Sequence, residues 1–561
     1  MSTTEAPCYS TPEQARLKIQ TIPFERIPSQ SRLFLDYLHH RERIGRFYDN
    51  AIRFIPDPAL RAAEVLANYT VDRSRVCDAL ERMNLKWGAG REVTDNITRL
   101  RDAKCVAVVS GQQAGLFSGP LYTIYKALSA VKLADCLSQR GTEAVPVFWI
   151  ATEDHDFTEV ASAEFVGCDC GLTSVSVPSE IHLPGSTVGS VRLDDSIHQV
   201  ITQMIETLPS SEFMPEVEAF LRNSYKPGLG YGDAFASLMT ALIGRFGLIL
   251  LDPRDPELKQ LAAPLYRKAA AAAAPMGAAL EKRSRELEEA GYHSQVLATA
   301  DSFPLFLHTE GDVRHAIART PNGKYQVKGD GEELSAEELA ALAESEPHRF
   351  SPNVTLRAVV QDYLLPTLAY YGGAAEVAYF AQTSEVYRTL GRPVTPIIHR
   401  ASMTIVESRT GRTLERFGLG LEDLFEGQEA IVSRIVESHL AVETATAFNK
   451  TESDLNHDLD ALRERLKEID PTLADALETG RRKIIYQLEG LRTRFHRSQM
   501  GRDEAARRQI ERAFAQLFPN KALQERHINI ASLLARHGHY VIDWIYEAIN
   551  LGSSDHQVVY L

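Results

Sequence analysis

The stretch whose reading decides the fold runs from Val106 to Leu137: VAVVSGQQAGLFSGPLYTIYKALSAVKLADCL. An apolar, β-branched run gives way to a loop holding Gly111, Gly115 and Gly119 together with Ser110, Gln112 and Gln113, and a helical pattern starts at Pro120. A strand that passes through a glycine-rich turn into a helix brings free backbone N–H groups and the positive end of the helix dipole to one spot. The glycines let the backbone approach a ligand closely. Gln112 and Gln113 both donate and accept hydrogen bonds, which suits sugar hydroxyls, amides or an adenine edge better than a bare charge. In an open α/β sheet, ligands sit outside the carboxyl ends of the strands, where this loop lies. Its spacing is neither a Walker loop nor GxGxxG, and a tight turn with no ligand is the competing reading.

Outward from this point the same style recurs. The runs KCVAVVS, AVPVFWIA, FGLILLD and PVTPIIH are short and almost continuously apolar, as strands of a parallel sheet buried on both faces are. Helical patterns separate them: Pro120–Leu137, and Pro256–Glu289 with Asp255 as N-cap and six alanines at Ala269–Ala274 as good helix formers. The spacing also predicts a helical stretch over Asn353–Thr389, broken at Gly372-Gly373, and helices over residues 11 to 100. Strands alternating with helices argue for a doubly wound α/β core. Two insertions interrupt it, Val175–Arg192 as short strands and turns and Gln295–Lys328 as hairpins turning at PNGK.

After Gly427, Leu455, Leu459, Leu462, Leu466 and Ile469 form a coiled-coil seam, Asp470-Pro471 ends that helix, and Ile484, Leu488, Leu491 and Phe495 form a second seam. Residues 452–470 hold seven acids against three bases, and residues 481–513 hold ten bases against four acids. Opposite charge favours pairing of the two arms, within one chain or between two. The expected domains are a helical segment 1–103, a core 104–427 with insertions near 168–240 and 292–350, a coiled coil 428–518, and a segment 519–561 returning to the core.

With 561 residues, 44% hydrophobic, the chain can bury a large core in two or more domains. A net charge of −14 lacks the basic footprint of a nucleic-acid binder, although the basic arm is a rival reading. Six cysteines (Cys8, Cys77, Cys105, Cys136, Cys168, Cys170) are thinly spread without zinc spacing and read as reduced thiols. The polar N-terminus MSTTEAPCYSTPEQ is not a signal peptide, and no apolar run is long enough to span a membrane. The expectation is a cytoplasmic protein with no tightly bound metal.

Three more strand ends carry polar clusters. VPVFWIATEDHDFTEV ends in Glu153, Asp154, His155 and Asp156. His155 between two carboxylates suits a general base that deprotonates an amine; Asp154 or Asp156 would bind an ammonium group or Mg²⁺. A solvated loop whose acids cap the next helix is the alternative. FGLILLDPRDPEL delivers Asp252, Arg254 and Asp255, and PVTPIIHRAS delivers His399 and Arg400. On the helical stretch, Asn353, Arg357 and Gln361 share one face, and Glu376, Tyr379 and Gln382 continue a polar stripe. Four such strand ends suggest one crevice.

The strings SGQQAGLFSGPLYTIYK, PVFWIATEDHDFTEV, FSPNVTLRAVVQDYLLPTLAYYGGAAEVAYFAQ and LFPNKALQERHINI resemble the bacillithiol-biosynthesis cysteine-adding enzyme family over essentially the whole chain. The resemblance implies a Rossmann-like core related to class I aminoacyl-tRNA synthetases, two connective insertions and a coiled coil that makes a homodimer. It implies a ligase joining the carboxyl of cysteine to the amine of glucosaminyl-malate. In that reading the carboxyl is activated as an adenylate or acyl phosphate. Ser110–Gln113, Gly119 and Pro120 hold one substrate, and Asp252, Asn353, Arg357, Glu376, Tyr379, His399 and Arg400 complete the binding surface. His155, flanked by Asp154 and Asp156, takes the proton. GQQAGLFSGP lacks the histidine pair of the synthetases, and no KMSKS-like lysine string follows, so the use of ATP, with Mg²⁺, stays open. A metal-assisted hydrolase built on Glu153–Asp156 and a non-catalytic coiled-coil scaffold are the rival readings.

Overall fold

The computed structural model describes residues 17–48, 55, 57–328, 333–439, 442–500 and 504–561; the polar N-terminus and Cys8 lie outside the described residues. Two compact units emerge, residues 1–405 with 523–561, and residues 406–522.

The first unit is built on five parallel strands, β1 (Val106–Gln112), β2 (Ala144–Ile150), β3 (Ile249–Leu251), β4 (Thr367–Gly372) and β5 (Ile397–His399). Their spatial order is β5-β4-β1-β2-β3. This is the doubly wound Rossmann-like order, and it reverses direction between β1 and β4, which opens a crevice beyond their carboxyl ends. β1 and β2 bury nearly every residue, as continuous apolarity predicts. Helix α1 (Leu121–Gln139) crosses back over β1, β2 and β4.

Three sequence expectations are corrected here. β4 lies inside the stretch read as helical from Asn353 to Thr389: α4 (Val354–Leu364) stops, β4 follows, and α5 (Ala374–Thr389) begins after Gly373. Pro366 removes an N–H and forbids the α conformation to Leu365, so the helix cannot run on. The stretch Pro256–Glu289 is two helices, α2 (Pro256–Ala271) and α3 (Ala273–Glu289), because Pro275 has no N–H to donate to Ala271. Residues Lys18–Ile22 are a strand, not helix, and pair antiparallel with the C-terminal strand His556–Tyr560, which lies between them and Met403–Val406.

The hairpin Ser162–Val166/Leu172–Ser176 begins before the first expected insertion, and Val175–Arg192 holds only the end of its second strand followed by the 3-10 turns Ser179–Ile181 and Val188–Ser190. The second forms a five-stranded sheet in which Ser302–His308 pairs with both Arg314–Arg319 and Phe350–Pro352. Gly323 of PNGK takes φ +85°, as that turn requires.

The second unit is helical. Its helices α7 (Val442–Ile469) and α8 (Pro471–Met500), following α6 (Gln428–His439), pair within the chain as a hairpin with Asp470 at the corner. Arg481 bridges to Asp460 and Asn456, Arg492 to Asn449, and the Phe448 and Phe495 rings meet. The arms therefore meet intramolecularly, as their opposite charges favour. Ile469, Tyr486 and Leu491 remain exposed.

Candidate active site

The reversal between β1 and β4 holds a cavity of about 850 Å³. β1 contributes Gly111, Gln112 and Gln113; a side chain at Gly111 would sit 2.7 Å from the Trp149 carbonyl, so only glycine fits. From α1, Lys126 reaches back and donates to the Gly111 carbonyl at 3.0 Å and to Gln112 Oε1 at 2.8 Å, and pairs with Glu376. Glu376 sits in the first turn of α5, where it accepts from Gly373 N–H at 2.7 Å and the Tyr370 hydroxyl at 2.6 Å. Burial pulls the Lys126 amine below its ordinary value. Burial pushes the Glu376 carboxyl up, but the lysine charge together with the hydrogen bonds from Gly373, Lys126 and Tyr370 outweighs it and holds the acid low. Asn353 N-caps α4, and Arg357 one turn on donates to the Tyr370 and Tyr379 hydroxyls at 3.3 and 3.2 Å. All of these line the cavity.

Past β5, Arg400 is buried and forks onto Glu525 at 2.7 and 3.0 Å, a bidentate pair that fixes the guanidinium plane. Its Nε is buried with no hydrogen-bond partner among the described residues, and the side chain lines the cavity. Past β2, Glu153 is buried against Lys259, while Asp154 accepts from Gln113 at 2.7 Å and faces the cavity.

Several residues expected in the site stand elsewhere. Asp156 is the N-cap of the short helix Phe157–Val160, and the His155 side chain is 50% exposed; neither lines the cavity. Glu153, Asp154, His155 and Asp156 thus have four separate uses, and among the described residues no group of three or more His, Cys, Asp or Glu could hold a metal. Ser110 is fully buried and ties β1 to β4 by donating to the Tyr371 carbonyl at 2.8 Å. Asp252 is half-buried beside Thr152 and accepts from Arg254 N–H at 2.9 Å; loss of solvent pushes its carboxyl above the usual value. His399 packs edge-on to Phe24 and Phe34, and burial followed by the Arg400 charge lowers its pKa to about 3. Gly119 and Pro120 border a smaller neighbouring cleft of about 290 Å³ that shares Gln112, Gln113 and Tyr122 with the main cavity.

Lys126, Glu525 and Arg314 were not singled out by sequence reasoning. Lys126 carried a signal: it is a lone cation in an otherwise apolar stretch of α1, and such a charge is costly to bury unless paired. Glu525 lies 125 residues from its partner, and nothing local announces it.

Comparison with known proteins fits this architecture. Residues 17–401 match the family model described as bacillithiol biosynthesis BshC, N-terminal Rossmann-like domain, and residues 403–561 match its C-terminal coiled-coil domain. The chain belongs to the BshC family. Among BshC relatives, a protein of Koribacter versatilis is 38% identical over 546 residues, covering 96% of this chain and 99% of its own length. Relatives from Salinibacter ruber and Solibacter usitatus are each 36% identical, covering 94% and 95% of this chain and 96% and 98% of their own lengths. All three carry the name "Putative cysteine ligase BshC". The family boundary at residues 401–403 lies a few residues before the break between the two compact units, yet residues 523–561, within the coiled-coil model, fold with the first unit and supply Glu525.

Proposed function

We propose that this chain is a cysteine ligase that forms the amide between the carboxyl of cysteine and the amine of glucosaminyl-malate. The observation that carries this reading is full-length membership of the BshC family, whose relatives bear that name. The cavity supports it chemically. It offers cations and amide groups for carboxylates and hydroxyls, and among its acidic side chains Glu376 is paired with Lys126 and Glu153 with Lys259, while Asp154 is held by the Gln113 amide and faces the cavity. Asp154 binds the substrate ammonium and takes its proton, freeing the lone pair for attack on the cysteine carbonyl. His155, half in solvent, is not needed for that step. Lys126 and Glu376 hold Gln112 and the β1 loop rigid, so the two substrates meet with little loss of freedom.

A carboxylate oxygen is a poor leaving group, and ATP would supply the phosphoryl or nucleotidyl group that improves it. The smaller cleft fits a phosphate-bearing co-substrate: it lies at the N-terminus of the 19-residue α1, Gly119 there has φ +71°, and the buried Thr123 hydroxyl on its wall has no hydrogen-bond partner among the described residues. We also propose a cytoplasmic enzyme, consistent with the absence of any membrane-length apolar helix among the described residues, and a homodimer through the apolar residues left exposed on the α7–α8 hairpin. Purified protein incubated with cysteine and glucosaminyl-malate, with and without ATP, should yield the dehydrated conjugate by mass spectrometry. No conjugate under either condition overturns the ligase reading, and conjugate without nucleotide overturns the role given to ATP.

A further inference from the structure

The second insertion contains a chain of hydrogen bonds that the proposed reaction does not use. His308 is buried, with Nδ1 2.5 Å from Asp312 Oδ1 and Nε2 2.6 Å from Ser351 Oγ. Asp312 is held in turn by the Thr187 hydroxyl and by Arg254 at 2.9 Å. Serine, histidine and aspartate in this order have the connectivity of a hydrolytic triad. The serine, however, is 0% exposed, and its oxygen accepts a hydrogen bond from Arg314 Nε at 3.1 Å.

The proton directions can be worked out from the carboxylate. Burial pushes the Asp312 carboxyl up, but the hydrogen bonds from His308 and Thr187 and the charge of Arg254 pull its pKa down to about 2, so it is ionised and Nδ1 carries the proton toward it. Whichever way the proton lies between Nε2 and Ser351 Oγ, the serine oxygen keeps a lone pair for Arg314 Nε. The chain therefore ends on a guanidinium. A second Arg314 nitrogen, Nη2, donates to the Pro352 carbonyl at 2.8 Å, and the guanidinium stacks 3.8 Å from the Phe306 ring centre. Among the described residues Nη1 alone has no hydrogen-bond acceptor; it stands 3.9 Å from Asp154 Oδ1, on the wall of the main cavity. A planar cation fixed on two nitrogens with the third offered to a cavity is a carboxylate receptor.

We propose that Arg314 recognises a substrate carboxylate in the main cavity and that Ser351, His308 and Asp312 are the relay that positions it. Which carboxylate it meets, that of cysteine or those of the malyl group, rests on the ligase reading. Placed beside Asp154, Arg314 sets the carboxylate next to the group that handles the amine.

Calorimetry on the full-length protein tests this with paired probes: L-cysteine against cysteamine, glucosaminyl-malate against glucosamine, and L-malate alone. Arg314→Met should weaken at least one carboxylate ligand by roughly ten- to a hundredfold, leaving its carboxylate-free counterpart unchanged. Arg314→Lys, which keeps the charge without the fixed plane, should fall between and guards against a folding failure. Ser351→Ala should weaken the same ligand by about three- to tenfold, and Ser351→Thr should restore it. Equal weakening of carboxylate-bearing and carboxylate-free probes overturns the inference and leaves the ligase reading standing, as does a carboxylate affinity unchanged in Arg314→Met. Arg314-dependent binding of malate with no binding of cysteine or glucosaminyl-malate does the reverse. Failure of the wild type to bind any carboxylate overturns both. Labelling of Ser351 by a fluorophosphonate would mark a working nucleophile and overturn the relay.

Discussion

The ends of β2 and β5 look alike in sequence and behave alike in space, though not in the way their letters suggest. Each apolar strand runs into a histidine beside a charged residue, Asp154-His155 after β2 and His399-Arg400 at β5. In both places the histidine is conspicuous, and in both the neighbour is what lines the cavity. At β5 this follows from the pleat, because successive side chains leave an extended backbone on opposite faces. His399 turns into the core under Phe24 and Phe34, and Arg400 turns to the crevice. At β2 the chain is about to enter the short helix Phe157–Val160, whose first turn requires the Asp156 cap. Asp154 folds back to accept from the His155 N–H at 2.7 Å, and the imidazole is left outside. The residue type that suggests catalysis and the direction that permits it are separate properties.

The sharpest break in this comparison is at Arg400. Arg400→Met leaves Glu525 buried without a counterion, and stripping one partner from such a pair costs about 3–5 kcal/mol. Chemical denaturation should show that loss, with turnover falling alongside. Adding Glu525→Gln should recover much of the stability while turnover stays low, since the neutral pair packs but presents no charge. Full recovery of both would reduce Arg400 to a packing residue.

The next effect is at the other strand. Asp154→Asn keeps the shape and the Gln113 contact but cannot take a proton, so kcat should drop by roughly a hundredfold or more, with an unchanged melting temperature. A variant that keeps wild-type turnover removes Asp154 from the chemistry.

Much of this architecture was legible and some was not, for identifiable reasons. β1, β2 and β5 are apolar runs that no helix pattern competes for, and the glycine-rich loop before α1 could be read from its neighbours, although Ser110, Gly111 and Gln112 belong to β1 itself. β4 was hidden because TLAYYG sits between two strong amphipathic helices, and its only local marker is Pro366. Its loss mattered, since the reversal that creates the cavity lies between β4 and β1. Glu525 and Arg314 were illegible for a different reason: their meaning lies in partners far along the chain, and one sequence does not encode distance. Ser110, Asp252 and His399 were correctly placed near strand ends, but hydrogen bonds and ring contacts inside the protein use them up.

His399 supplies a smaller and graded effect. Burial holds it neutral with a pKa near 3, and His556, buried between the Ser402 and Thr404 hydroxyls, is lowered by burial to about 4. Both stand below the 6.5 of a free imidazole. Below that value the unfolded chain takes up protons that the folded chain refuses, so stability is complete above it and falls as the solution is acidified. Each histidine should remove about 1.4 kcal/mol per pH unit until its folded value is reached. Urea midpoints between pH 7.5 and 5 should slope accordingly. His399→Asn should reduce the slope by one histidine's share, and a flat profile would show that neither ring is held neutral.

The smallest change belongs to His155. Its ring nitrogen lies 3.5 Å from Asp154 Oδ1, an exposed contact of the kind worth 1 kcal/mol or less, so His155→Ala should alter turnover by less than about fivefold. Asp154 does not depend on that contact, because the backbone N–H of residue 155 and the Gln113 amide remain to hold its two oxygens apart and aimed. Alanine keeps the N–H, whereas proline would remove it. His155→Pro should therefore cost far more turnover than His155→Ala, though nothing at the imidazole differs between the two. If alanine were as damaging as proline, the proton acceptor would be the ring after all, and the likeness between the two strand ends would be an accident of where each loop turns.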